Sequence, residues 1–90
     1  MESAVHIVVK GVVQGVGFRW FVLQLASRLA LQGYVRNRFG GEVEIVAEGD
    51  RSLLEALIGD VKTGPRSAHV SGLVVEWQKP SREFSRFEVR

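Results

Sequence analysis

Val5-His6-Ile7-Val8-Val9-Lys10-Gly11-Val12-Val13-Gln14-Gly15-Val16-Gly17-Phe18-Arg19-Trp20-Phe21-Val22-Leu23-Gln24-Leu25-Ala26-Ser27-Arg28-Leu29 is the stretch that decides the fold. Val5 to Val13 is β-branched and nearly continuous apart from His6, Lys10 and Gly11, which suits a central strand. Gln14-Gly15-Val16-Gly17 breaks that pattern. From Phe18 the period becomes helical, because Phe18, Phe21, Val22, Leu25, Ala26 and Leu29 fall on one apolar stripe. Gly33 is expected at the C′ position of this helix.

Working outward, Gly33 to Phe39 and Glu42 to Glu48 alternate with period two. The first run places Val35, Asn37 and Phe39 on one face, and the second Val43, Ile45 and Ala47. Gly40-Gly41 between them reads as a two-residue hairpin turn. A second helix follows, with Asp50 or Ser52 as N-cap. Its buried stripe is Leu53, Leu54, Leu57, Ile58 and Val61, and Gly64-Pro65 stops it. A strand is expected from about Ala68 to Trp77, with Leu73, Val75 and Trp77 on one face. After a turn at Lys79-Pro80-Ser81-Arg82, a short last strand runs from Phe84 to Arg90 with Phe87 and Val89 inward. The fold class is therefore α+β: a ferredoxin-like βαββαβ sandwich with a short C-terminal fifth strand, two helices covering one face of a mainly antiparallel sheet.

The composition limits what such a chain does. Ninety residues fit one domain, residues 1–90, with a two-layer core and no large enclosed cavity. The absence of cysteine excludes a disulfide framework, a thiol nucleophile and a zinc ribbon. The first residues lack the pattern of a signal peptide, and no apolar run reaches the ~20 residues needed to span a bilayer, so a soluble cytoplasmic protein is expected. The 12 Lys and Arg exceed the 10 Asp and Glu only slightly, and no basic run resembles a nucleic-acid arm.

Chemistry points to the first strand-to-helix loop. Gly15 and Gly17 let the backbone curl with N–H groups pointing inward, the helix start adds partial positive charge, and Arg19 adds a planar cationic fork. A phosphoryl group is the anion this arrangement fits. It is neither a Walker loop, because no Gly-Lys-Ser/Thr follows, nor a dinucleotide fingerprint, because Trp20 stands where the third glycine belongs. A bland alternative remains: a tight turn with Arg19 as an ordinary solvated residue.

Asn37 is the second feature, a polar amide by parity on the helix-covered face or else a loop residue capping the turn. A right-handed crossover makes the first two strands parallel, so their C-terminal ends share one edge of the sheet. With the third strand between them they lie ~10 Å apart, which lets Arg19 and Asn37 converge.

These residues carry a resemblance. Gly11-Val12-Val13-Gln14-Gly15-Val16-Gly17-Phe18-Arg19, with Gly33-Tyr34-Val35-Arg36-Asn37 and Gly41-Glu42-Val43-Glu44 leading to Ala47-Glu48-Gly49, closely resembles the acylphosphatase family over essentially the whole chain. The resemblance implies a metal-independent hydrolase without cofactor that splits acyl phosphates into a carboxylate and inorganic phosphate. It implies catalytic roles for Arg19 and Asn37. Substrate binding would fall to Gln14, Gly15, Val16, Gly17, Phe18 and Arg19, and Asn37 would position the attacking water. The expected partners are a small-molecule acyl phosphate and inorganic phosphate, with no nucleic acid, no membrane and a monomeric state. Departures are mild: Tyr34 replaces a frequent Trp, Arg66 stands where a second Pro is common, and Arg90 ends the chain without a terminal aromatic.

Other readings compete less well. His6 and His69 are isolated in sequence and read as ordinary strand or surface histidines rather than metal ligands. Glu42, Glu44 and Glu48 share the outward parity of their strand and are expected to form a solvated charged face. Ser67 and Ser71 lack a matching His-Asp pair. Trp20 either lines the acyl side of the site or is a plain exposed aromatic. The rival functions are a non-catalytic anion-binding module of the same fold, a module resembling the acylphosphatases that acts beside a larger carbamoyl-transfer machine, and an RNA-binding sheet; for the last, no aromatic run appears on the open face.

Overall fold

A computed structural model describing residues 1–90 places the elements in the expected order: β1 (Glu2–Val12), α1 (Phe18–Arg28), β2 (Gln32–Asn37), β3 (Val43–Asp50), α2 (Arg51–Thr63), β4 (His69–Gln78) and β5 (Phe87–Val89). The strands form one sheet in the order β4-β1-β3-β2-β5. All neighbours are antiparallel except β2 and β5, which run parallel. β1 and β2 are thus parallel with β3 between them, as the crossover argument requires.

Rows of paired residues cross the sheet. Val35 pairs with Ile45, Ile45 with Ile7, and Ile7 with Val75; one row further, Asn37 pairs with Val43, Val43 with Val9, and Val9 with Leu73. Val5, Ile7, Val9, Val35, Val43, Ile45 and Ala47 pack with Phe18, Val22 and Ala26 of α1 and Leu54, Leu57 and Val61 of α2 into one buried core. The helices thereby cover one face, and the rows that lie under them are apolar up to Asn37.

Several boundaries differ from the sequence reading. α1 ends at Arg28, and Ala30, at φ 55°, occupies the left-handed position expected of Gly33. Ala30 N–H donates to Ser27 C=O (3.1 Å) and Leu31 N–H to Ala26 C=O (2.9 Å), while the side chains of Ala26 and Leu31 are buried together, which is a Schellman ending. Gly33 lies instead in β2, at φ 141°, where a Cβ would stand 1.9 Å from the Val46 carbonyl oxygen. Close strand approach, not helix termination, demands this glycine.

β2 stops at Asn37, so Phe39 does not continue the inward row and is fully exposed. The hairpin is also longer than two residues. Arg38 N–H donates to Glu42 C=O (2.8 Å) and Gly41 N–H to Arg38 C=O (3.4 Å), leaving Phe39, Gly40 and Gly41 as the loop. Asp50, rather than Ser52, caps α2, accepting from Ser52 N–H at 3.2 Å. Hydrogen bonds from Ser52 and from the chain's amino group hold its carboxyl down at about 2. Leu53 leaves the expected stripe and is exposed, as is Val89 in the last strand, which spans only Phe87–Val89.

The outward glutamates overturn the expectation of a solvated face. Glu44 and Glu48 are 7% and 5% exposed. His6 Nε2 donates to Glu44 Oε2 (2.7 Å), and Arg36 Nε donates to its other oxygen. Glu48 accepts from Ser81 N–H (2.9 Å), Ser81 Oγ–H (2.7 Å) and Arg82 N–H (3.0 Å), pinning the β4–β5 connection onto the sheet. Burial pushes both carboxyls up, but these donors outweigh it and hold both below the ordinary carboxylate value.

Candidate active site

The loop from β1 to α1 has the curl its glycines suggest. Gly15 and Gly17 have φ 74° and 78°, left-handed values open to glycine at little cost, and no heavy atom lies within 4 Å of a Cβ built on either. Gly17 is the N-cap of α1 and has no side chain to satisfy the first turn. The first helical N–H with a main-chain acceptor is that of Phe21, to Gly17 C=O at 3.0 Å. The amides from Gly15 to Trp20 have no acceptor in the protein, so they remain available to an anion.

Three contacts hold this open loop. Phe18 is buried at its C-terminal end and tilts against Phe21 with ring centroids 5.9 Å apart. Ser67 Oγ donates to Val16 C=O (2.9 Å), tying the loop to the segment after α2. Gln14 Nε2 donates to both Arg38 C=O (2.7 Å) and Glu42 C=O (2.8 Å), the carbonyls that close the β2–β3 hairpin. Serine 67, unpromising as a nucleophile in the sequence, thus has a structural contact that nothing in the sequence signalled.

Arg19 is exposed in the first turn of α1 and has no Asp or Glu side chain as partner, unlike Arg36, Arg38, Arg51, Arg86 and Arg90. Its one hydrogen bond, Nη1 to the main-chain oxygen of Arg90, is long at 3.5 Å. Asn37 is half-buried at the end of β2, and its amide makes no hydrogen bond within the protein. Both side chains line one cleft of about 420 Å³, together with Val13, Gly15, Gly17, Phe18, Trp20, Leu23 and Val89. Asn37 also borders a second, open depression shared with Gln14, Arg36, Arg38 and Phe39.

The structure therefore brings Arg19, Asn37 and the glycine loop into one cleft. Gln14, expected among the binding residues, stands at the loop's start with its side-chain amide committed to the hairpin. Val16 packs partly against the core. His6 and His69 lie in β1 and β4, and no cluster of His, Cys, Asp or Glu has the makings of a metal site. Parity points Val89 inward; its place in the cleft follows from the parallel pairing of β5 with β2, which sets it beside Val35.

A cleft with unpartnered amides, a guanidinium that no acidic side chain pairs with and a free carboxamide is suited to gripping a tetrahedral oxyanion and aligning a small polar molecule beside it. Comparison with known proteins points the same way. Residues 5–89 match the family model described as acylphosphatase. The chain is 44% identical over 85 residues to an acylphosphatase of Moorella thermoacetica, covering 94% of this chain and 90% of that protein. It superposes on a crystal structure of acylphosphatase from Bacillus subtilis with a TM-score of 0.94 and 38% identity, covering 100% of this chain and 99% of that one. A full-length HypF, described in its phosphate- and nucleotide-bound form, matches with a TM-score of 0.91 and 32% identity over 100% of this chain but only 12% of its own.

Proposed function

The chain belongs to the acylphosphatase family and hydrolyses acyl phosphates, and from that premise we propose a division of labour among its residues. The amides of Gly15 to Trp20 and the Arg19 guanidinium hold the non-bridging phosphoryl oxygens. The Asn37 amide orients a water in line with the acyl–oxygen leaving group. The observation that supports this most is the single cleft lined by Arg19, Asn37, Gly15 and Gly17.

The chemistry asks for little beyond this. The water oxygen bonds to phosphorus, the bond from phosphorus to the acyl oxygen breaks, and its electron pair leaves on a carboxylate. That leaving group has an acidity near an unperturbed Glu, about 4, so no general acid is needed. Both water protons end on phosphate oxygens, so an acyl phosphate dianion yields a carboxylate and dihydrogen phosphate with charge conserved. What remains is placement and charge stabilisation, which oriented amides and one arginine supply.

On this proposal the opposite sheet face has no nucleic-acid role. Its aromatic, Tyr34, is covered by Phe84 (ring centroids 5.9 Å) and by the Arg90 guanidinium (4.3 Å from the ring), and its central cation, Arg36, is spent on Glu44.

Benzoyl phosphate hydrolysis in the presence of a chelator tests the assignment. Arg19→Ala is expected to abolish competitive inhibition by inorganic phosphate and to lower turnover about 100- to 1000-fold. Asn37→Ala is expected to lose turnover while phosphate inhibition stays. Wild-type turnover in Arg19→Ala, or equal loss of phosphate affinity in both variants, overturns the division of roles.

A further inference from the structure

The two tryptophans have different surroundings. The guanidinium of Arg51 lies 3.9 Å from the Trp77 ring. Trp20 has no aromatic or cationic partner and is 63% exposed, immediately after Arg19. Leu23 stands one helical turn further along the same flank of α1. Val89 of β5, 42% exposed, joins both in lining the cleft that holds Gly15, Gly17, Arg19 and Asn37. Exposed apolar side chains are ordinary one at a time, but here they are contiguous with a polar cradle, which is how ligand sites are arranged.

We propose that Trp20, Leu23 and Val89 form the acyl-group subsite, and that it selects aromatic and branched apolar acyl phosphates over acetyl phosphate. The proposal rests on the assignment of the loop and Arg19 to the phosphoryl group. Continuity fixes the occupant: a phosphoryl group held at Arg19 directs its acyl substituent along the same cleft. From Arg19 to Leu23 the helix rises about 6 Å, the span of one aryl ring or a short branched chain. Arg19 is the only charged side chain in the lining, and the phosphoryl group engages it. An acyl group with its own carboxylate or ammonium would leave that charge without a partner against an apolar wall.

The test compares kcat/KM for benzoyl phosphate and acetyl phosphate in the wild type, Trp20→Ala, Trp20→Phe and Leu23→Ala, with inorganic phosphate as competitive inhibitor. Taking ratios between variants cancels the intrinsic reactivity of the two substrates. Trp20→Ala is expected to lose about tenfold on benzoyl phosphate, mainly through KM, because a contact made equally in ground and transition states does not alter kcat. Acetyl phosphate should change less than about twofold, and Trp20→Phe should keep benzoyl phosphate within about threefold. Leu23→Ala should shift the same ratio in the same direction. Equal losses on both substrates, an unchanged ratio, or weaker phosphate inhibition in Trp20→Ala overturns the subsite while leaving the cradle intact. A wild type that turns over neither substrate and is not inhibited by phosphate overturns the cradle as well.

Discussion

Replacing Gln14 probes how the two halves of the site are held in register. Its Nε2 spans Arg38 C=O at 2.7 Å and Glu42 C=O at 2.8 Å, joining the first residue of the loop to the hairpin that begins just after Asn37. Two carbonyls facing one terminal atom require that atom to be the amide nitrogen. In Gln14→Ala each carbonyl keeps another donor, Gly41 N–H (3.4 Å) for Arg38 and Arg38 N–H (2.8 Å) for Glu42. With neither acceptor orphaned, the stability cost is that of two ordinary bonds at the low end of their range, about 1–2 kcal/mol. For a chain of this length that lowers Tm by roughly 4–12 °C. Catalysis should suffer more, since a displacement near 1 Å between reacting groups costs on the order of 100-fold. Measured with benzoyl phosphate, kcat should fall about 10- to 100-fold while inhibition by inorganic phosphate changes less than about threefold. Gln14→Glu should be less stable than Gln14→Ala at neutral pH, because a carboxylate has no proton to offer either carbonyl. A Gln14→Ala enzyme with wild-type kcat and a lowered Tm would reduce Gln14 to a stability contact and refute the positioning argument.

Two further predictions concern the scaffold. Gly33→Ala forces a Cβ to 1.9 Å from the Val46 carbonyl oxygen and should destabilise by more than about 3 kcal/mol, whereas Ala30→Gly, which relieves an alanine at φ 55°, should raise stability by about 0.5–1 kcal/mol; urea melts of both variants give the comparison. Glu48, with its carboxyl held below the ordinary value of 4.5, contributes stability that is complete above that pH and is lost as pH falls through its lower folded-state value. Glu48→Gln should therefore be less stable than wild type at pH 7 and converge on it in acid, and parallel stability curves from pH 7 to 2 would contradict the role given to Ser81 and Arg82.

The fold was legible because its signals are local and agree with one another. The change from a β-branched run to a helical period across Gly15 and Gly17 sets the first crossover, and handedness then brings Arg19 and Asn37 to one edge. What the alternation could not show is what covers each face. Parity put Glu44 and Glu48 outward correctly, yet both are buried, because cross-strand pairing sets Arg36 opposite Glu44 and the distant Ser81-Arg82 turn folds back onto Glu48. Gly33 misled for a related reason: a glycine shortly after a helix reads as its terminator, while the need it meets here lies across the sheet at Val46. The tethers made by Gln14 and Ser67 escaped because their partners, Arg38, Glu42 and Val16, offer main-chain carbonyls, which leave no side-chain signature.

Asn37 shows what the proposed site costs the fold. It occupies the end of the row Asn37, Val43, Val9 and Leu73, on the face where the neighbouring row is Val35, Ile45, Ile7 and Val75. A strand with this register presents its alternate residues to the helices, and a slip of one residue would expose Val35 and turn Asn37 away from the cleft. Register is held by the apolar residues, and Asn37 contributes no hydrogen bond to it. An amide at a strand end packed among valines is also a poor strand former. Asn37→Val should therefore leave stability unchanged or raise it by up to about 1 kcal/mol, while turnover of benzoyl phosphate falls by at least about 100-fold. Urea unfolding and initial rates on the same preparation decide the matter. A variant destabilised by more than about 1 kcal/mol would mean that the carboxamide supports the strand, and a merely proportional loss of activity would then follow from unfolding rather than from a missing water-orienting group.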